Sequence, residues 1–460
     1  MKSLRMYNIT NPEIDIYLVF LHQEMKGKGI DTKSIQERGW LKLDNAAKLF
    51  PAIMSGELTA VFRITASLKK PVKYSAVKEA LEITSRRFPY FSVSLGRGLF
   101  WYYLEYNQLL PRIQTEEKIP CTAFAANRKN EPLYRILVKE NRISVEFIHI
   151  LTDGGGALEY LKSLLYTYFR LTGKQISSDE GIISPESAIL QEEMEDGYQR
   201  FFRKKIPPPG KLTKAWHLPY KLNEKPRLKV TSCEIALDKL LPIVKGHNVS
   251  VTEYIVSVYL YSLQKIYFEE KAKDIKQKRG VLRIEVPVNM RRRLPSRTMR
   301  NFSLFVLPEV DLRLGEYTFE EILKIVSYQL QTGADIKQIG RFLSQNVGHE
   351  KSPLIRVLPL FIKSMAISTV YRRLGSTQCS GILTNLGSVK LPDEMADLID
   401  SFELIPTPPN THVRICAAMV SFRNQLHLNF CNISVSTHFE MHFIKHLTEL
   451  GIPVRILNTK

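Results

Sequence analysis

The sequence predicts an α/β fold built as two halves of similar make-up, and three observations carry that prediction. A chain of 460 residues is too long for one ordinary core and suggests two domains of roughly 200 to 230 residues each. Segments of period-two alternation, which suit strands, are interspersed with segments of helical period in both halves. Between them Pro207, Pro208, Pro209, Gly210, Pro219 and Pro226 deny regular structure to a stretch of the chain. The expected organisation is an N-terminal extension over 1–38, a first domain over 39–205, a Pro-rich linker over 206–229 and a second domain over 230–460.

The extension is polar and loosely patterned. From Trp40 the chain becomes regular: Leu58 to Leu68 alternates as a strand and Val77 to Arg86 has an amphipathic helical pattern. Short strands follow around Phe91 to Leu95 and Leu99 to Glu105, with a turn at Gly96 to Gly98. Leu133 to Glu140 and Arg142 to Ile148 form an antiparallel pair joined at Asn141. Ala157 to Leu171 then carries Leu158, Leu161, Leu164, Leu165, Tyr168 and Phe169 on a helical face that Gly173 ends. Beyond the linker the order repeats in outline, with a strand at Cys233 to Leu237, a helix at Val251 to Lys271, and strands at Val281 to Val288 and Phe302 to Leu307. Helices are expected at Phe319 to Leu330 and Leu354 to Arg373. Strands follow at Gly381 to Leu386, Arg414 to Phe422 and Leu426 to Val435, then a helix at His438 to Leu450 and a strand at Val454 to Leu457. Two such halves imply a cleft between them, the usual place for a substrate.

Composition narrows the function. Hydrophobic residues at 44% and charged ones at 24% place the chain among folded globular proteins. Cys121, Cys233, Cys379, Cys416 and Cys431 are odd in number and form no CxxC pair, so they suggest neither a disulfide framework nor a zinc knuckle, and a reducing cytoplasm fits them best. The apolar stretch Ile14 to Leu21 contains Asp15 and lacks a cleavage pattern, so no signal peptide is expected. Leu354 to Val370 is interrupted by Arg356, Pro359 and Lys363 and falls short of a transmembrane segment. The net charge of +19 attracts phosphates, nucleic acid, anionic lipid heads or acidic proteins. Its clusters, Lys271 to Arg279 and Arg291 to Arg300, have no aromatic interleaving, which argues against nucleic acid.

The stretch F-I-H-I-L-T-D-G-G-G-A-L-E, Phe147 to Glu159, carries the chemistry. His149 falls where a strand ends and Asp153 where a helix begins, so both belong to a loop able to line a cleft. An imidazole with a pKa of about 6.5 can take and return a proton near neutrality, provided that one ring nitrogen is free and the other is held in a fixed tautomer. Asp153 either supports that ring or turns back to brace the loop against an arginine. Gly154, Gly155 and Gly156 permit positive φ and leave room for a substrate. The plainer reading is a satisfied histidine at a strand end followed by an aspartate N-cap.

With its preceding apolar strand and following helix, H-I-L-T-D-G resembles the H-x-x-x-D-G motif of the coenzyme A-dependent acyltransferase superfamily, which includes alcohol acetyltransferases, polyketide-associated acyltransferases and peptide-synthetase condensation domains. L-D-N-A-A-K-L-F-P-A, R-F-P-Y-F and G-L-F-W-Y-Y-L-E in the first half are similar to stations of its bacterial alcohol acetyltransferase-like members. So are V-P-V-N-M-R-R-R, R-N-F-S-L and T-N-L-G in the second. The resemblance spans about Trp40 to the C-terminus. It implies two chloramphenicol acetyltransferase-like domains, each a mixed β-sheet with helices, and an active-site tunnel between them. It makes His149 the base that deprotonates the acceptor, with Gly154 in the catalytic loop, and Asp153 a carboxylate pointing away from the substrate toward Arg291. Asn301, Thr384, Asn385 and Gly387 stand at positions that line the tunnel or face an oxyanion. Ile148 replaces the first of the two adjacent histidines of many relatives, and the D-F-G-W-G motif of the plant branch is absent.

The implied reaction is acyl transfer from a coenzyme A thioester, a substrate and not a resident cofactor, to an alcohol or amine. The alternatives are a condensation-type enzyme served by an acidic acyl carrier protein and a non-catalytic binding module on the same fold. No G-x-S-x-G occurs, and Cys379 has no cue for a paired histidine, which argues against a nucleophile mechanism. No metal is expected at His438, His442 and His446, because the first and last lie about 12 Å apart along a helix axis. Trp101, Tyr102 and Tyr103 are expected in the core.

Overall fold

A computed structural model describes residues 39–126, 128–273, 279–373 and 375–459. The expected extension over 1–38, and residues 274–278 of the basic cluster Lys271 to Arg279, lie outside them. The first half contains strands β1 (Trp40–Lys42), β2 (Val61–Leu68), β3 (Val93–Arg97), β4 (Tyr102–Tyr106), β5 (Ile113–Thr115), β6 (Tyr134–Lys139) and β7 (Arg142–Ile148). The second contains β8 (Lys229–Ala236), β9 (Val281–Asn289), β10 (Ser303–Val306), β11 (Glu309–Asp311), β12 (Gly381–Ser388), β13 (Ile399–Ile405), β14 (Ile415–Phe422), β15 (Gln425–Asn432) and β16 (Val454–Thr459).

These strands form three sheets. β1, β4 and β3 make a small one, and β13, β2, β7, β6 and β5 make a five-stranded one. The largest has eight strands, in the order β10-β9-β12-β14-β15-β8-β16, with β11 also paired to β9. β13 crosses over: it pairs antiparallel with β2 of the first half, Phe402 opposite Ala66. The second half thus lends a strand to the first half's sheet.

β12 runs parallel to both β9 and β14 at the centre of the large sheet. Its neighbour β14 is buried on both faces and apolar almost throughout. Along β14, Ala417 and Met419 face the second core, while Ala418, Val420 and Phe422 join the first. In the first core the helices Tyr74–Arg87 and Gly154–Leu171 pack together over the five-stranded sheet. In the second, the capped helix Val251–Ala272 lies between Phe319–Gly333 and His438–Glu449.

Several elements differ from the sequence expectation. The helix expected over Leu354 to Arg373 is two helices, Pro353–Val357 and Leu360–Arg373. Leu358 between them is extended, the conformation that a following proline, here Pro359, imposes. The helix expected from Ala157 begins at Gly154, because Asp153 caps it with its side chain. The helix Ile336–Lys351 and strand β13 had no counterpart in the expectation.

Candidate active site

β7 delivers His149 to the seam between the halves. The His149 backbone N–H donates to the Ala60 carbonyl at 2.9 Å, extending the β2–β7 ladder by one residue. Its half-buried ring lies between two phenylalanines: Phe62 at 4.6 Å, and Phe50 at 5.2 Å and nearly parallel. Burial pulls the imidazole below its ordinary pKa, and the Asp153 charge, the Asn301 side chain and the Thr152 backbone offset this in part.

Asn301, from the second half, faces the Nδ1 side of the ring. Its Nδ2 donates to Asp44 Oδ2 at 3.1 Å and to the His149 carbonyl at 2.9 Å. Both amide hydrogens are thereby taken, so Oδ1 faces His149 Nδ1, at 3.5 Å, as an acceptor only. The arrangement fits a proton on Nδ1, the tautomer in which Nε2 carries the lone pair.

Asp153 is turned away from that ring. Oδ1 accepts from the Gly155 and Gly156 N–H groups at 3.1 and 3.2 Å. Oδ2 accepts from Arg291 Nη1 at 3.0 Å, the Phe302 N–H at 2.8 Å and Ser303 Oγ at 3.0 Å. Burial opposes ionisation of this carboxyl, yet the Arg291 charge and these bonds outweigh it and hold its pKa below the usual value. Arg291 also donates to the carbonyls of Thr298, at 2.6 Å, and Arg300, and to Asn289 Oδ1 at 3.2 Å. One buried carboxylate thus caps a helix of the first half and anchors a loop of the second.

The glycines do not serve positive φ, since none of the three is among the positive-φ residues of the chain. They serve close approach. A Cβ on Gly156 would stand 2.4 Å from the Met299 carbonyl oxygen and 2.2 Å from Thr152 Oγ1, and one on Gly155 3.2 Å from Arg291 Nη1. On Gly154 it would stand 3.2 Å from Leu386 Cδ1, which brings β12 against the loop.

On β12, Asn385 Nδ2 donates to Thr252 Oγ1 at 2.8 Å and its Oδ1 accepts from the Gly387 N–H at 2.8 Å. Gly387 has φ +89°, and a Cβ there would meet Arg292. Thr384 is half-buried in the same strand. A cavity of about 860 Å³ lies between the halves, with Thr59, Cys121, Leu228, Tyr371, Asn410 and His412 in its wall. His149 is outside that wall. The short helix Phe50–Ile53 stands between them, with Phe50 on the imidazole and Ile53 in the wall.

Asp44, Phe50 and Phe62 were not singled out in the sequence. Asp44 and Phe50 lie in L-D-N-A-A-K-L-F-P-A, but the bond from Asn301 to Asp44 spans 257 positions and leaves no local pattern. Cys379 is buried, and burial together with Glu285 pushes its thiol pKa up, the opposite of what a nucleophile needs. The three C-terminal histidines have separate neighbours: His438 meets Tyr220, His442 meets Glu269 and His446 packs on Phe319. Tyr102 and Tyr103 are half-buried, and Trp101 stacks beneath the Lys363 ammonium at 3.6 Å.

This architecture is the two-domain chloramphenicol acetyltransferase-like fold, shared by acyltransferases and condensation domains. The trichothecene 15-O-acetyltransferase TRI3 from Fusarium sporotrichioides is similar over 92% of this chain and 97% of its own, with TM-score 0.55 and 10% identity. TRI101 from F. sporotrichioides, solved with coenzyme A and T-2, is similar over 91% and 100%, with TM-score 0.56 and 11% identity. The first condensation domain of the CDA synthetase is similar over 89% and 96%, with TM-score 0.55 and 13% identity. No family model and no curated protein sequence matches the chain.

Proposed function

We propose that the protein is an acyltransferase that moves an acyl group from a coenzyme A thioester to an alcohol or amine, with His149 as general base. The observation that carries this reading is the Asn301 amide, whose two hydrogens are taken, so that its oxygen faces Nδ1 and Nε2 stays available. Nε2 takes the acceptor's proton as the acceptor oxygen or nitrogen attacks the thioester carbonyl. Collapse of the tetrahedral intermediate expels the thiolate, which receives the proton. Asp153 and Arg291 act as a brace between the halves, and Asn301 positions the ring.

Oxyanion stabilisation falls to Thr384 or Asn385 in this reading, because both Asn301 amide hydrogens are taken whereas Asn385 gives one of its two to Thr252. Gly154 lets the loop approach β12 at Leu386, and Gly387 lets Arg292 approach the same strand. General-base catalysis is worth ~10²- to 10⁴-fold, and alignment of the two substrates contributes the larger share. A cytoplasmic location, with no permanently bound cofactor, completes the proposal.

A second reading, in which the donor is held by an acidic carrier protein, is favoured by the charge of +19 and by the equal likeness to a condensation domain. Thiol release from a panel of acyl-coenzyme A and carrier-bound donors, each with alcohol and amine acceptors, separates the two. His149→Ala is expected to lower the responding rate by ~10²-fold or more with unchanged thermal unfolding. Equal rates in wild type and variant would favour a non-catalytic binding module.

A further inference from the structure

The apolar run from Leu354 is not used by the site just described, and it forms an exposed face. Leu354 (79% exposed) and Val357 (69%) lie one turn apart on the first short helix, and Phe361 (63%) and Met365 (66%) lie one turn apart on the second, beyond the bend at Pro359. The turn carrying Leu99 (72%) and Phe100 is fastened to them. The Leu360 N–H donates to the Leu99 carbonyl at 2.9 Å, and buried Lys363 Nζ donates to the carbonyls of Phe100 and Arg356, both at 3.1 Å. A lysine buried to join two segments that present large apolar side chains to solvent marks the face as a built surface.

Its charge is one-sided. Arg356, Arg372 and Arg373 are exposed, and residues 353–373 contain no aspartate or glutamate in a chain of net charge +19. Among the described residues no helix is long and apolar enough to cross a membrane. We infer that this face docks on an anionic lipid surface, with Leu99, Phe100, Leu354, Val357, Phe361 and Met365 entering the interface and the arginines meeting head-group phosphates. A bilayer interface supplies an apolar layer beneath a layer of negative charge, which is the pattern these side chains match. The same helix, Leu360–Arg373, contributes Ser368, Tyr371 and Arg372 to the wall of the cavity, so docking sets one wall of that cavity against the bilayer.

The test is co-sedimentation of the full chain with vesicles of phosphatidylcholine containing about one third phosphatidylglycerol, against phosphatidylcholine alone. Wild type is expected to pellet with the anionic vesicles and to be released by salt. A Phe361→Ser, Met365→Ser double variant is expected to lose about tenfold or more in binding, and a Leu354→Ser, Val357→Ser variant on the separate short helix to lose a comparable amount. Tyr328→Ser, exposed on another helix, and His149→Ala are expected to bind as wild type does, so the outcome is independent of the acyl-transfer reading. The inference is overturned if wild type stays in the supernatant or if both patch variants pellet unchanged. It is equally overturned if the patch variants instead abolish a dimer of this chain, or binding to an acyl carrier protein, with lipid binding intact.

Discussion

Both amide hydrogens of Asn301 are taken and its oxygen faces Nδ1, and in the proposed reaction the protonation state of His149 sets the rate. Burial holds the imidazole pKa below 6.5 in the folded chain, so between the two values the unfolded chain binds more protons. Stability from this group is complete above the unfolded value and is lost as pH falls through the folded one. The transfer rate is expected to follow the same deprotonation, with the midpoint of the rise in kcat/KM below pH 6.5, and a pH profile checks this. Asp153 acts through structure. Its five acceptor bonds cap the helix at Gly155 and Gly156 and join the loop to Arg291, Phe302 and Ser303, so Asp153→Ala removes the counter-charge of half-buried Arg291 and the acceptor of three donors of the second half, and is expected to cost about 3 to 5 kcal/mol in denaturant unfolding. The strand end at His149 and the helix start at Asp153 and Gly154 were legible at this scale, because these positions are local. The support of the ring by Asn301 and Asp44 was not, since it is made across hundreds of positions.

At the scale of elements, most strands and helices were readable from period alone, and the exceptions have physical causes. Pro359 divides one apolar run in two, and the apolar count alone does not register the break. β13, I-D-S-F-E-L-I, alternates only weakly because Glu403 is drawn into an ion pair with Arg142 of β7, at 2.7 Å, instead of facing solvent. Its anchor is Phe402, fully buried against Phe422 at 5.1 Å. Phe402→Ala is expected to destabilise the chain by about 3 to 5 kcal/mol, measured by chemical denaturation. A small loss would mean that β13 is dispensable to the five-stranded sheet.

The whole molecule brings together groups that neither half holds by itself. The first half supplies the imidazole, its phenylalanine walls and the capping carboxylate; the second supplies Asn301, Arg291 and a strand for the first half's sheet. The repeated make-up of the halves was legible in the sequence, whereas the crossing of β13 was not, because pairing partners in a sheet are not encoded by the period of a single strand. The most direct test of this arrangement is heteronuclear NMR of the His149 ring nitrogens at neutral pH. A protonated Nδ1 beside a bare, non-donating Nε2 is the predicted result. A proton on Nε2 with Nδ1 bare would contradict it, since the nitrogen meant to receive the acceptor's proton would already be occupied.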